Sequence, residues 1–135
     1  QGVEILLPHE IRERMHVRTL SPVLARIKRP VHGKIKIWDL NPGNVQFYDA
    51  LQNNLLKKYK MFYGGYDGEE YMKIIPNMGS VKRKRITIEK DHVKTFHRAY
   101  MMRFDVEADP NLLEFACDVG FGEKNSMGFG MVEVF

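Results

Sequence analysis

The chain has 135 residues, 44% of them hydrophobic and 28% charged, with a formal charge of +4. That size predicts one domain with a modest core, and the composition excludes disordered, collagen-like and coiled-coil classes. A small basic excess suits an anionic partner without defining one, and the lone Cys117 excludes an internal disulfide.

From Met15 to Ile27 the chain is rich in Val, Thr, Leu and Ile, which predicts a strand; Ser21-Pro22 interrupts it, implying an edge position or a bulge. Lys34 to Leu40 (KIKIWDL) alternates polar and apolar residues and predicts a second short strand, ended by Asn41-Pro42-Gly43-Asn44. Phe47, Leu51, Leu55 and Tyr59 recur every four residues and predict an amphipathic helix over Val45 to Tyr59, closed by Gly64-Gly65. Lys57, Lys58 and Lys60 suit the negative end of that helix. Tyr71 to Ile75 predicts a strand, and Lys82 to Lys94 with Phe96 to Val106 predicts a long hairpin. In its second arm Tyr100, Met102, Phe104 and Val106 alternate with Met101, Arg103 and Asp105, placing one face on the core. Asp109-Pro110 supplies an N-cap and a first-turn proline for a helix reaching Val119, where Cys117 lies on an apolar face rather than at a nucleophile site. Met131 to Phe135 predicts a last strand. The order is β-α-β-β-α-β, an α+β fold of the ferredoxin-like plan: an antiparallel sheet with two helices on one face.

No apolar run approaches the roughly 18 residues that span a bilayer, and QGVEILLPHE lacks a signal peptide's basic start. The expectation is a cytoplasmic protein with no membrane partner. The opening without methionine and the apolar Val3 to Leu7 read as part of something longer.

Between the second helix and the last strand lies GFGEKNSMGFG, two Gly-aromatic-Gly triplets around a five-residue polar insert. Its helix-before, strand-after order excludes the Walker loop and the dinucleotide fingerprint. Two readings stay open for Gly120, Gly122, Lys124, Asn125, Ser126, Gly128 and Gly130. They form either a tight connection that needs glycine only for its turns, or a nest of backbone amides that binds an anion with help from Lys124.

This motif resembles the signature of the RAMP superfamily, the ferredoxin-like RNA-binding proteins of CRISPR systems. Within it the chain is most similar to the CRISPR-associated endoribonucleases that cut precursor CRISPR RNA within its repeats. Thr19-Leu20-Ser21-Pro22-Val23, Asn54-Leu55 with Lys58-Tyr59, and the run into Met131-Val132-Glu133-Val134 carry the same resemblance. It implies that residues 15–135 are a C-terminal ferredoxin-like domain and residues 1–14 the tail of, or linker from, a preceding domain. It also implies a metal-independent cleavage with no cofactor, catalytic residues in that preceding domain, CRISPR repeat RNA as partner, and other ribonucleoprotein subunits as further candidates.

Lys82, Arg83, Lys84 and Arg85 form the densest basic run, and on a hairpin strand they must point to both faces. Set beside an RNA-binding family, they are candidate phosphate contacts rather than a solvated surface. Tyr63, Tyr66 and Tyr71 are candidate stacking residues, with packing as the alternative. None of His9, His16, His32, His92 and His97 has a metal-ligand spacing, and none is singled out as a base. Two other functions stay open: a non-catalytic RAMP subunit holding guide RNA, and an unrelated domain binding a small anionic metabolite.

Overall fold

The computed structural model describes residues 13–135, so the expectation for Val3 to Leu7 and most of the 1–14 segment lies outside the described residues. In chain order the elements are β1 (Glu13–Thr19), β2 (Arg26–Val31), β3 (Lys34–Asp39), α1 (Val45–Tyr63), β4 (Met72–Lys90), β5 (Val93–Ala108), α2 (Pro110–Val119) and β6 (Val132–Val134). Four strands form one antiparallel sheet in the order β4-β5-β1-β6, with both helices packed on one face: the ferredoxin-like plan the sequence predicts.

The alternation in β5 decides which face is the core. Tyr100, Met102, Phe104 and Val106 are buried against Phe47, Leu51 and Leu55 of α1 and Leu112, Phe115 and Ala116 of α2. The Asp109 side chain accepts the amide of Asn111 at 2.9 Å and caps α2. Helix α1 runs four residues past the predicted end at Tyr59 and stops at Gly64, whose φ of +80° gives the left-handed C-cap.

Two departures from the expected elements share one cause, extra residues in one of two paired strands. Arg18 faces Arg103 and Val23 faces Tyr100, five steps along one segment against three along β5, so the chain bulges at Leu20, Ser21 and Pro22. Beyond Val23 the chain leaves the sheet, so the predicted single strand over Met15 to Ile27 is two elements. Its second part pairs only with β3, in a separate hairpin whose turn residues His32 and Gly33 both have positive φ. Conversely, the two stretches predicted as separate, Tyr71 to Ile75 and the first arm of the hairpin, merge in the single strand β4, interrupted between Asn77 and Lys82 by an irregularity that Ser80 bridges; the turn falls at Asp91 and His92, so Val93 and Lys94, predicted in the first arm, open β5. Its Oγ donates to Asn77 O at 2.6 Å and accepts Arg103 N at 2.8 Å.

Candidate nucleic-acid interface

The glycine loop is folded back on its own backbone. Phe121 N donates to Gly130 O at 2.9 Å, Gly128 N to Asn125 O at 2.9 Å, Glu123 N to Leu24 O at 2.8 Å and Gly130 N to Pro22 O at 2.8 Å. Glycine is required where these backbones meet. A Cβ at Gly130 would stand 1.9 Å from Phe121 O, and one at Gly122 would stand 2.4 Å from Leu24 O; both residues hold a φ of +73°. The aromatics between the glycines are plugs. Phe121 is fully buried in the helix-side core, edge-on to Phe104 at 5.2 Å, while Phe129 enters a second cluster with Leu24 and Ala99. Because Ala99 alternates with Tyr100, that second cluster lies on the other side of β5.

Asn125 and Lys58 lock the loop. Asn125 Nδ2 donates to Phe121 O at 3.0 Å and Phe129 O at 2.9 Å, and its Oδ1 accepts Lys58 Nζ at 2.7 Å. Lys58 Nζ also donates to Gly120 O and Gly122 O, each at 3.1 Å. Three acceptors match the three N–H groups of an ammonium, while burial lowers the Lys58 pKa to about 8. The reading of Lys58 as a surface cation at a helix end missed this role. Its signal was spacing, since Lys58 falls four residues after Asn54 and seven after Leu51, on the stripe that faces the core.

The loop therefore spends much of its backbone internally. The amides of Gly120, Phe121, Glu123, Gly128 and Gly130 all have backbone acceptors, and the carbonyls of Gly120 and Gly122 face a cation rather than an anion. Its outward groups are the exposed tip, Ser126 to Gly128, and the half-buried Lys124 at φ +58°.

The basic run has the opposite character. In the register of β4 with β5, Lys82 and Lys84 stand opposite Met101 and Ala99 on the face away from the helices, and Arg83 and Arg85 stand opposite Tyr100 and Arg98 on the other. All four are exposed, and among the described residues none pairs with a carboxylate. Arg14, Arg18, Arg26 and Lys60, by contrast, pair with Asp105, Glu133, Glu123 and Glu70. Lys82 and Lys84 border a trough of about 680 Å³ together with Arg18, Arg103, Asn77 and Ser80. The structure links loop and hairpin through Phe129, which packs near Ile86 and Ile88.

The remaining candidates are structural. Tyr66 Oη donates to Asp109 Oδ2 at 2.8 Å, and burial with that carboxylate holds the phenol well above its usual pKa. Tyr63 stays exposed, its ring 4.5 Å from that of Tyr59 and tilted by 41° to it. His97 is buried with Nδ1 3.5 Å from Asp39, and His16 Nδ1 meets Asp105 at 2.6 Å; His16 and then Arg14 hold the Asp105 carboxyl below its usual pKa. Burial pushes the Cys117 thiol up, which suits a packing residue. Among the described residues no helix is long and apolar enough to cross a membrane, and no cluster of three His, Cys, Asp or Glu side chains could hold a metal.

Residues 6–134 match the family described as CRISPR associated protein Cas6, C-terminal. The CRISPR-associated endoribonuclease Cas6 1 of Methanocaldococcus jannaschii is 38% identical over 116 residues, a stretch covering 86% of this chain and 43% of that relative. A solved structure of a CRISPR associated protein Cas6 superposes with a TM-score of 0.77 at 34% identity, over 97% of this chain and 51% of the other. A second, described as a RAMP protein binding different RNA substrates, gives 0.80 at 25% identity, over all of this chain and 52% of the other. The chain thus spans about half the length of the proteins it matches.

Proposed function

Because the chain belongs to the Cas6 C-terminal family, we propose that it is the RNA-gripping half of an endoribonuclease that processes precursor CRISPR RNA within its repeats. The observation that carries this reading is the contrast in charge pairing. The domain neutralises Arg14, Arg18, Arg26 and Lys60 with its own carboxylates and, among the described residues, leaves Lys82 to Arg85 bare on both faces of a long hairpin. Cations kept exposed and unpaired are the footprint of a polyanionic backbone. Lys124 and the tip Ser126 to Gly128 extend that grip, through side chains and an exposed turn rather than through the loop's inner amides.

Cleavage in this proposal needs no metal: a 2′-hydroxyl attacks the adjacent phosphate and leaves a cyclic phosphate and a 5′-hydroxyl, a reaction that general acid and base groups suffice to drive. Those groups are assigned to the remainder of the parent protein, residues 15–135 being its C-terminal domain. The likeness to a RAMP protein that binds different RNA substrates favours one other reading, a RAMP subunit that binds RNA without cutting it.

Filter binding of a CRISPR repeat RNA at increasing salt tests the proposal. The expected log–log slope is about −0.7 for each single-strand phosphate contact. Replacing Lys82, Arg83, Lys84 and Arg85 together by Gln, or Lys124 by Ala, should flatten it. Salt-independent binding, or slopes unchanged in both variants, refutes it. Incubating the full-length parent with repeat RNA in EDTA separates the two readings, since intact RNA leaves only the binding subunit.

A further inference from the structure

The short β2–β3 hairpin leaves the main sheet but is held against it at one end. The end of β3 is tied across β5 by Asp39: its Oδ2 accepts Arg98 N at 2.7 Å, and its Oδ1 lies 3.5 Å from His97 Nδ1. That tether sets the β2–β3 hairpin beside the projecting end of the β4–β5 hairpin and leaves a groove between them. Two cavities fill the groove, about 400 Å³ lined by Asp39, Arg83, Arg85, Phe96 and Arg98, and about 320 Å³ that adds Trp38 and shares Asp39, Phe96 and Arg98.

Two properties combine in this groove. Its rings face water, Trp38 being 42% and Phe96 51% exposed, although large aromatics are ordinarily used for packing. Its charge is unbalanced as well. Among the described residues Asp39 is the one carboxylate lining it, and both its oxygens are turned to β5, so Arg83, Arg85 and Arg98 have no acidic partner among those residues. The Arg85 guanidinium already lies 4.4 Å from the Phe96 ring centre, a cation–π contact that puts a positive charge beside an exposed ring.

We propose that this groove is a binding site for single-stranded RNA, with unpaired bases stacking on Trp38 and on the Phe96–Arg85 pair while Arg83 and Arg98 hold the flanking phosphates. The inference rests on the RNA-binding reading above and adds a location and a mode to it. Stacking on a protein ring requires a base with a free face, which a duplex does not offer, and aromatic platforms beside cations are how single strands are held without sequence preference.

Trp38 is the only tryptophan of the chain, so its fluorescence reports on this groove alone. The experiment titrates the protein with an end-labelled, unstructured repeat RNA, following Trp38 emission and label anisotropy together. Quenching of Trp38 with the same midpoint as the anisotropy rise is expected. An abasic strand of the same length should leave the emission unchanged, and Phe96→Ala, at an exposed site, should weaken binding about tenfold, as loss of one stacked base does. An anisotropy rise with unaltered Trp38 emission overturns the groove and leaves RNA binding standing. Equal quenching by the abasic strand or by a duplex overturns the stacking mode, and no anisotropy change at all overturns both readings.

Discussion

The glycine loop and the basic hairpin lie on the same domain and handle their polar groups in opposite ways. In the loop, most groups that could reach a ligand are spent inside: amides on carbonyls, carbonyls on Lys58, and the Asn125 amide on three partners. In the hairpin, four cations in a row have no acidic partner among the described residues. A regular motif can therefore mark the part of a domain that must be rigid, while the groups left for a partner are those the fold does not satisfy.

That division can be broken experimentally, starting from the loop. Gly130→Ala forces a Cβ to within 1.9 Å of Phe121 O and should cost at least about 3 kcal/mol in denaturant unfolding, a large share of the roughly 5–15 kcal/mol that holds a domain folded. Lys58→Ala leaves three acceptors facing an empty volume and should cost about 2 kcal/mol. The hairpin should behave in reverse. Replacing Lys82 to Arg85 together by Gln should change stability by no more than about 0.5 kcal/mol per site, while the salt slope for RNA falls by about 0.7 for each phosphate no longer neutralised. If the quadruple variant unfolds, or Gly130→Ala is as stable as the parent, the division fails.

The smallest effect is a slope with pH. Burial holds Lys58 at about 8 in the folded state, so between that value and its ordinary 10.5 the unfolded chain carries more proton than the folded one. Stability should therefore rise with pH through this window, and Lys58→Met should abolish the rise. Tyr48, Tyr59, Tyr66 and Tyr100, all held above their ordinary value, should reverse the trend above about pH 10, where the unfolded chain loses protons that the folded one keeps.

What was legible in the sequence was whatever depends on near neighbours. The four-residue stripe of α1, the Asp109-Pro110 start of α2 and the alternation in β5 are local patterns, and each gave its element. The parts that were not legible depend on distant residues. Val23 to Ile27 has strand composition, but its path is set by Pro22 O and Leu24 O accepting amides of Gly130 and Glu123, about a hundred positions away. Lys58 carries the same charge as Lys57 and Lys60; its spacing places it on the core-facing stripe, but its three acceptors come from the returning loop. For the candidate site, the motif located the loop and the basic run located the cations. The arginine and aromatic groove was invisible because Trp38 and Phe96 come together only when the second hairpin is tethered by Asp39.

The pairing of β6 with β1 also has a consequence for the chain during synthesis. Val17 and Thr19 find Val134 and Val132 across more than a hundred residues, and Leu20 and Ser21 share the carbonyl of Met131. Until residues 131–134 have left the ribosome, one edge of β1 stays unpaired and the gap that Phe129 fills stays open. A nascent chain paused just short of that point would present a sticky strand edge to its neighbours, so residues 131–134 act as the closure of that edge.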